Sequence, residues 1–212
     1  MTNCLLCETK SIHQIEAAAP GYYHCRECDL IFLAPKFRLD AEQEKEHYET
    51  HNNTLDNPGY VQMFEKFISN AVLPYVYPNG RALDFGCGPG QVLQVLLERR
   101  GFRTDVYDPY YAPQEPQGPY RLVTSTEALE HVYEPGKVWQ KLLLLLEAGG
   151  TLAVMTNFHQ GPEAFVNWWY RRDPTHVTFF SEDTFAWLAK QQGLKILYSD
   201  GKKTITLKKQ DE

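Results

Sequence analysis

A glycine-rich turn within residues 83–92, LDFGCGPGQV, constrains the fold of this chain more than any other stretch. A phosphate-binding loop would place Lys and then Ser or Thr behind its glycines, but Gln91 and Val92 follow Gly90 here. A dinucleotide-binding turn has the spacing G-x-G-x-x-G, whereas this turn reads G-x-G-x-G. Asp84, just before the turn, suits a ligand with a positive amino group better than a pyrophosphate. The turn therefore predicts an α/β site for a ligand that is not held through phosphates.

Strand-like and helix-like patterns alternate around this turn. Strands are predicted at residues 82–85, 103–107, 122–126, 152–156, 195–199 and 204–208, and helices at residues 89–100, 135–147 and 182–192. Such alternation is typical of a parallel sheet covered by helices. Asp200 and Gly201, between the last two strands, form a hairpin-type pair that adds an antiparallel edge. Residues 79–212 are therefore expected to form one α/β domain.

Two helices are predicted ahead of this domain. The first covers residues 40–51, with Asp40 at its N-cap. Residues 57–59, Asn-Pro-Gly, break the chain, and apolar residues then recur at helical spacing over residues 60–72. Residues 39–78 are expected to act as a helical linker or lid.

The front end carries two C-x-x-C pairs, formed by Cys4, Cys7, Cys25 and Cys28. Each pair presents two thiolates from a tight knuckle, and a separation of seventeen residues is typical of a tetrahedral zinc site. Two alternatives are a pair of disulfides, which a cytosolic setting disfavours, and a redox dithiol, which would occur once within a βαβ pattern. With a strand predicted at residues 30–33, residues 1–38 are expected to form a structural zinc ribbon.

The charge distribution argues against a nucleic-acid partner. Residues 1–78 carry 6 Lys and Arg against 11 Asp and Glu, and the whole chain has a formal net charge of −6. Binding to a phosphate backbone depends on clustered Lys and Arg. The N-terminus shows no secretory signal, and the apolar run at residues 142–146 is too short to span a bilayer. A cytoplasmic protein without a membrane partner is expected.

Asp108 ends the second predicted strand of the domain, about 20 residues past the glycine turn. Ligands of open α/β sheets bind at the carboxyl ends of the strands, and an acid at this place can hold a ribose diol. Together with Asp84 and the bare backbone of the turn, Asp108 suits an adenosine whose 5′ substituent carries an amino acid.

At this point the chain resembles the class I S-adenosylmethionine-dependent methyltransferases. The resemblance rests on residues 83–90, Asp108, residues 126–131 and residues 147–150, and it covers roughly residues 60–209. With the ribbon in front, the whole chain is similar to a small, poorly characterised bacterial methyltransferase group. The resemblance implies a Rossmann-like, seven-stranded methyltransferase sheet and S-adenosylmethionine as the cofactor.

The resemblance also implies a cofactor site in which the glycine turn holds the methionine part and Asp108 holds the ribose. The expected cofactor-binding residues are Asp84, Phe85, Gly86, Cys87, Gly88, Gly90, Asp108, Pro109, Tyr110 and Thr126. Only thirteen residues separate Asp108 from Leu122, where the family usually has a helix and a third strand. The third strand and the adenine-binding acid after it have no clear match, so Tyr110, Tyr111 or Thr126 is expected to form the adenine pocket instead.

Candidate catalytic residues follow the fourth predicted strand of the family's sheet. Glu127, Glu130 and His131 would lie on one face of a helical turn, either as a simple polar face or as part of the catalytic machinery. The segment resembles the metal-binding motif of the ubiquinone-pathway O-methyltransferases and of the small-RNA 3′-end 2′-O-methyltransferases, and His176 lies in a segment similar to one of the latter. The resemblance implies a second, divalent metal at Glu127, Glu130, His131 and His176. Alternatively, one of the histidines acts alone as a general base.

Trp168, Arg171 and Arg172 are expected either to recognise an anionic or sugar-like acceptor, or to form a lid that packs on the core. The function favoured by the sequence is methyl transfer to O or N of a small molecule. Two alternatives are an RNA methyltransferase that grips its substrate with the ribbon, and a regulator that binds the cofactor without catalysis. The sequence leaves the acceptor and the oligomeric state open.

Overall fold

The structure is a computed structural model that describes residues 3–48 and 53–210. Its strands are β1 (Ile12–Ile15), β2 (Tyr22–Cys25), β3 (Ile31–Leu33), β4 (Arg81–Phe85), β5 (Arg103–Tyr107), β6 (Tyr120–Thr126), β7 (Leu146–Met155), β8 (Thr178–Phe179), β9 (Leu194–Ser199) and β10 (Thr204–Lys209). Its α-helices are α1 (Ala41–Tyr48), α2 (Pro58–Phe67), α3 (Val92–Arg99), α4 (Pro135–Leu145), α5 (Pro162–Phe165) and α6 (Glu182–Gln191). Short 3₁₀ turns cover Pro35–Phe37, Leu129–His131 and Trp169–Arg172, and a π-helical turn covers Ile68–Val72.

The central sheet has six strands in the order β5-β4-β6-β7-β10-β9. Strands β5, β4, β6 and β7 are parallel, whereas β10 pairs antiparallel with both β7 and β9. This arrangement confirms the predicted Rossmann-like α/β fold with an antiparallel hairpin at one edge. Two helix predictions were too long, because α3 covers only Val92–Arg99 of the predicted residues 89–100, and α4 ends at Leu145, where β7 begins at Leu146.

The third strand of the seven-stranded pattern is missing. Residues 109–119, all of which the structure describes, contain no strand, and β5 forms the edge of the sheet with no described strand beyond it. Proline lacks the N–H that a sheet ladder needs, and this segment holds four prolines. The composition of the segment therefore explains why no strand replaces the missing one.

The two helices ahead of the domain differ from the prediction at their ends. Asp40 Oδ1 accepts hydrogen bonds from the backbone N–H groups of Glu42 and Gln43 at 3.1 and 2.9 Å, as expected for an N-cap. Helix α1 is described to Tyr48, and the rest of the predicted helix to residue 51 lies outside the described residues. Residues 57–59 are not a break but the start of α2, because Asn57 caps the helix and proline is favoured in its first turn.

The N-terminal cysteine module, residues 3–34, forms a second sheet with the order β1-β2-β3-β8. The sequence predicted one strand here and missed β1 and β2. Strand β8 comes from the far end of the chain and pairs with β3 through Ile31 and Phe32. Module residues Leu6 and Phe32 also share one hydrophobic cluster with Trp139 of α4. The predicted domain boundaries at residues 38 and 78 stay a prediction.

The helices cover both faces of the central sheet. Helices α2 and α3 pack on one face in a cluster that includes Leu122 and Ala153, and the larger cluster joins α4, α6 and the cysteine module on the other. Within the described residues, no helix combines the length and apolar character needed to cross a membrane.

Candidate active site

A cavity of about 730 Å³ opens at the carboxyl ends of β4, β5 and β6. Nine of the ten predicted cofactor-binding residues line it, namely Asp84, Phe85, Gly86, Cys87, Gly88, Asp108, Pro109, Tyr110 and Thr126. Gly90 does not line the cavity. A Cβ on Gly90 would lie 1.8 Å from the carbonyl oxygen of Asn53. The absence of a side chain at Gly90 therefore allows the backbone at Asn53 to approach, rather than a ligand.

Two glycines of the turn are required for different reasons. Gly86 has φ +81°, and a Cβ there would lie 2.4 Å from the Cβ of Ala128. Gly88 has φ +62°, and the space beside it is open. The backbone N–H of Gly86 donates to the carbonyl of Tyr107 at 2.8 Å, which ties the turn to the end of β5. The turn is therefore tightly packed against Ala128 at Gly86, whereas at Gly88 its backbone has open space beside it.

Asp84 is 1% exposed at the end of β4 and accepts a hydrogen bond from Thr124 Oγ1 at 3.2 Å. Burial, with a further contribution from the nearby Asp108 carboxylate, raises the pKa of Asp84 to about 7. A cation that reaches this carboxylate would favour its ionised form. The site is thus prepared for a positively charged group.

Asp108 organises the turn that follows β5. Its Oδ1 accepts from the backbone N–H groups of Tyr110 and Tyr111 at 2.9 and 3.1 Å, and its Oδ2 accepts from Gly88 N at 3.1 Å. Each carboxylate oxygen can accept about two hydrogen bonds. Oδ2 therefore keeps the capacity to accept one more from a ligand in the cavity.

Three of the four predicted catalytic residues come together at the wall of the same cavity. Glu130, His131 and His176 each offer a ligand atom within 4.8 Å of the others, and Glu127 lies outside that group. The predicted helical face is wrong, because Glu127 has φ +48° and is followed by a 3₁₀ turn rather than by an α-helix. Glu130 is nevertheless fully buried instead of pointing to solvent.

Backbone carbonyls orient both imidazoles. His131 Nδ1 lies 3.2 Å from the carbonyl oxygen of Thr175, and His176 Nδ1 lies 2.7 Å from that of Tyr170. A ring that donates from Nδ1 carries its lone pair on Nε2, which is then suited to a metal or a proton. Burial lowers the pKa of His176, so its ring is neutral near pH 7.

The two glutamates share one phenol. Tyr170 Oη donates to Glu130 Oε1 and lies 3.5 Å from Glu127 Oε2. The other oxygens, Glu127 Oε1 and Glu130 Oε2, are buried without a hydrogen-bond partner among the described residues. Burial, reinforced by the neighbouring Glu130 carboxylate, raises the pKa of Glu127 to about 8. Two buried carboxyl oxygens are thus available to a ligand.

The predicted recognition loop lies mostly outside the cavity. Arg171 donates to the carbonyl oxygen of Val166 at 2.9 and 2.6 Å and to that of Ala19, in the cysteine module, at 3.0 Å. Arg172 is exposed, and neither it nor Trp168 lines the cavity. The contacts of Arg171 are those of a loop packed on the core, and the neighbouring Trp169 reaches the cavity instead.

The sequence did not indicate four lining residues, two on α1, one on α2 and one after the Leu129–His131 turn: Glu44, Tyr48, Tyr60 and Tyr133. Trp169, Tyr170 and Asp173, which belong to the segments noted around Arg171 and His176, also line the cavity. Ala41, Glu44 and Tyr48 recur at helical spacing, which was the available signal, but nothing local indicated that this helix face covers a ligand site. Six carboxylates line the cavity, and its described lining residues include no Lys or Arg.

The four cysteines of the N-terminal module converge as predicted from their spacing. Their sulfur atoms all lie within 4.8 Å of one another, with Cys4 and Cys28 at 3.5 Å and Cys7 and Cys25 at 3.6 Å. None of them is in a disulfide. A tetrahedron with Zn–S bonds of about 2.3 Å places sulfur atoms about 3.8 Å apart. The donor set therefore fits a tetrahedral metal site.

Comparisons with known proteins agree with this geometry. Residues 59–199 match the model of a family described as methyltransferase domain, while no protein of curated function matches the sequence. The structure is similar to the 1,6-didemethyltoxoflavin N1-methyltransferase of Burkholderia thailandensis solved with S-adenosylhomocysteine. The two are 14% identical, with 89% of this chain and 99% of that chain covered at a TM-score of 0.53.

A second similar structure is the magnesium protoporphyrin IX methyltransferase of Synechocystis PCC 6803 with bound S-adenosylmethionine. It is 14% identical, with 71% of this chain and 80% of that chain covered at a TM-score of 0.53. At these identities the similarity shows a shared fold. Because the family match spans more than half of the 212 residues, the chain belongs to the methyltransferase-domain family and is a class I methyltransferase.

Proposed function

We propose that this methyltransferase transfers the methyl group of S-adenosylmethionine to a hydroxyl of a small, uncharged, sugar-like acceptor. One observation carries the proposal: the glycine turn, Asp108 and the Glu130, His131 and His176 cluster all line a single cavity. A cofactor held at the turn would point its reactive end toward groups that can orient and deprotonate an acceptor. Such alignment and proton removal are what methyl transfer from a sulfonium requires.

The cofactor assignment rests on chemical fit. Both similar methyltransferases were solved with S-adenosylmethionine or S-adenosylhomocysteine bound. In this chain Asp84 suits the positive amino group of the methionine part, and the free capacity of Asp108 Oδ2 suits a ribose hydroxyl. The open backbone at Gly88 leaves room for close approach of the ligand.

The lining favours an uncharged acceptor over an anionic one. Four carboxylates remain in the cavity besides Asp84 and Asp108, namely Glu44, Glu127, Glu130 and Asp173, and the described lining residues include no Lys or Arg. Lys203, which is not a lining residue, acts on Glu127 alone and lowers its pKa, against the larger raising effect of burial. Arg171, a candidate for recognising an anionic acceptor, is directed to backbone carbonyls. Aromatic rings such as Trp169 and Tyr170 can stack on a sugar face, and carboxylates accept hydrogen bonds from hydroxyls. The same lack of cations disfavours RNA as the acceptor.

Glu130, His131 and His176 fit a divalent cation. Each imidazole donates from Nδ1 to a carbonyl and so presents Nε2, and Glu130 Oε2 is buried without a partner among the described residues. A bound divalent cation would supply Lewis acidity that lowers the pKa of an acceptor hydroxyl. Tyr170 fixes the Glu130 carboxylate, and Glu127, outside the cluster, faces the same space. Without a metal, His131 or His176 would take the hydroxyl proton directly.

We also propose that the cysteine module binds one structural Zn²⁺ through Cys4, Cys7, Cys25 and Cys28. The close approach of the four sulfur atoms supports this assignment. All four coordination positions would be filled by protein, which leaves none for a substrate. The metal would therefore stabilise the module rather than take part in methyl transfer.

The test is a methyl-transfer assay with S-adenosylmethionine labelled in its methyl group. The acceptor panel should contain neutral sugars and polyols, their phosphorylated counterparts, small amines and RNA. We expect label in neutral hydroxylated acceptors. Transfer only to phosphorylated compounds or to RNA would contradict the proposed acceptor class, and failure of the folded protein to bind S-adenosylhomocysteine by calorimetry would contradict the proposed function as a whole.

A further inference from the structure

Helix α1 places a buried carboxylate over the cavity. Glu44 is 7% exposed, lines the cavity and stands on a helix whose neighbouring acids, Glu42 and Glu46, are exposed. A carboxylate is costly to bury unless hydrogen bonds compensate it. The buried Glu44 carboxylate therefore needs hydrogen-bond donors, either from the protein or from a ligand.

Two phenols hold the Glu44 carboxylate in place. Tyr48 Oη donates to Oε1 at 2.5 Å, and Tyr110 Oη donates to Oε2 at 3.0 Å. A third phenol, that of Tyr133, also lies close to the carboxylate, but it donates its proton to the carbonyl oxygen of Leu39 at 2.8 Å. Each carboxylate oxygen can accept about two hydrogen bonds, so each keeps one position after the contacts with Tyr48 and Tyr110. Glu44 is thus oriented by protein donors and still able to accept two N–H or O–H groups from a ligand.

The contacts of α1 place the Glu44 carboxylate between Tyr110, which follows Asp108, and Tyr48, which separates it from His131. Tyr48, one helical turn later and about 6 Å further along, packs its ring 5.1 Å from the ring of His131. Glu44 instead contacts Tyr110, whose backbone N–H is bound by Asp108, the proposed ribose ligand. Glu44 therefore lies on the side of the cavity where a base attached to that ribose would extend.

The segment that replaces the third strand offers no acid at this place. Residues 109–119 contain one carboxylate, Glu115, which is exposed and pairs with Lys141 at 2.6 Å on the protein surface. Glu115 does not line the cavity. A base bound beside Tyr110 would find its carboxylate partner on α1 and not on the sheet.

We infer that Glu44 binds the exocyclic amine of the cofactor's adenine. This inference rests on the proposed function, because it assumes that S-adenosylmethionine occupies the cavity. One N–H of the adenine amine can donate to a remaining acceptor position of the carboxylate, and the other N–H points away from it. A 6-oxo base would instead place a carbonyl oxygen against the carboxylate. Both groups are hydrogen-bond acceptors, so no hydrogen bond could form and binding would be weakened.

The experiment compares binding of S-adenosylhomocysteine with binding of S-inosylhomocysteine, in which a 6-oxo group replaces the amine. Calorimetry is run on the full chain, on Glu44→Gln and on Glu46→Gln, an exposed acid of the same helix that serves as the matched control. We expect the unaltered protein and Glu46→Gln to prefer the adenine compound by about tenfold or more. In Glu44→Gln the preference should fall below about threefold, because an amide can both donate and accept.

Several outcomes separate this inference from its alternatives. Equal binding of the two compounds by the unaltered protein, or an unchanged preference in a folded Glu44→Gln, would overturn it. A Glu44→Gln variant in which only the KM for the acceptor changes would also overturn the inference, because this result would place Glu44 at the acceptor. If Glu44→Gln does not fold, Tyr110→Phe removes the phenol that orients Oε2 and should reduce the preference, whereas an unchanged preference would contradict the inference. Binding of neither compound would overturn the proposed function itself.

Discussion

The two halves of the cavity are built in different ways. Most of the cofactor half, formed by the glycine turn and the Asp108 turn, comes from residues 84–110, and hydrogen bonds between these two turns hold it together. Thr126 and the proposed adenine contact, Glu44, come from outside this range. The acceptor half consists of residues 127–131 and residues 169–176, which are about forty positions apart in the chain. The two segments contact each other directly, since Tyr170 donates to Glu130 and His131 Nδ1 lies 3.2 Å from the carbonyl oxygen of Thr175. Strand β8, which follows the second segment, pairs with β3 of the cysteine module.

A short path of backbone hydrogen bonds links the module to the acceptor half. Leu33 N donates to the carbonyl of Val177 at 2.8 Å, and Val177 N donates to the carbonyl of Glu130 at 2.8 Å. Val177 follows His176 directly, so the path positions two members of the proposed metal cluster. The difference between the halves predicts that acceptor chemistry can be lost while cofactor binding persists.

The largest expected effect is on the acceptor half itself. His176→Ala removes one proposed ligand and should lower kcat by about a hundredfold or more, with the S-adenosylhomocysteine affinity unchanged. Steady-state kinetics and calorimetry measure the two quantities. Arg172→Ala, exposed and outside the cavity, is the control and should behave as the unaltered protein. Equal loss of binding and turnover in His176→Ala would show that the halves are not separate.

The second prediction concerns the link between module and acceptor half. Cys28→Ser should release the proposed zinc, loosen the β3–β8 pairing and lower methyl transfer by about tenfold to a hundredfold, because metal binding contributes folding free energy. Elemental analysis should find about one zinc per chain before the change and less after it. Full transfer activity in a zinc-free variant would break the proposed link.

A third prediction addresses the cofactor half. Gly86→Ala places a Cβ against Ala128 in a backbone conformation that favours glycine, and it should weaken S-adenosylhomocysteine binding by about tenfold or more. Gly193→Ala is the matched control, because Gly193 also has a positive φ, of +63°, but has open space around it. The control should lose stability, by about 1 kcal/mol, without losing affinity. Similar affinity losses in both variants would point to general destabilisation.

The smallest expected effect is the pH dependence of cofactor binding. The raised pKa of Asp84, about 7, means that the carboxyl group of the free protein is mostly protonated below pH 7. The positive amino group of the ligand requires the ionised carboxylate. Affinity for S-adenosylhomocysteine should therefore rise as pH increases from 6 to 8, by about tenfold. Asp84→Asn should flatten the profile, and a profile that falls over this range would contradict the role of Asp84.

The cofactor half could be predicted from sequence because its determinants are local. A strand, a glycine turn and an acid at the end of the next strand are visible within about 25 consecutive residues, and the parallel sheet follows from the alternation of elements. The pairing of β3 with β8 could not be predicted, because no local pattern connects residues 31–33 with residues 178–179. For the same reason the sequence does not distinguish Glu44 and Tyr48 from residues of an ordinary surface helix, and it leaves Arg171 with two alternatives, acceptor recognition or a lid packed on the core.

The separation of the two halves is tested most directly by one paired measurement on the unaltered protein. Methyl transfer to a neutral acceptor and calorimetric binding of S-adenosylhomocysteine are recorded before and after mild chelation, and elemental analysis verifies that the zinc remains. We predict that chelation lowers transfer by about a hundredfold, that Mn²⁺ or Mg²⁺ restores it, and that the affinity changes less than twofold. Affinity that falls together with transfer would contradict the separation of the two halves, and transfer that survives chelation unchanged would contradict the proposed divalent cation.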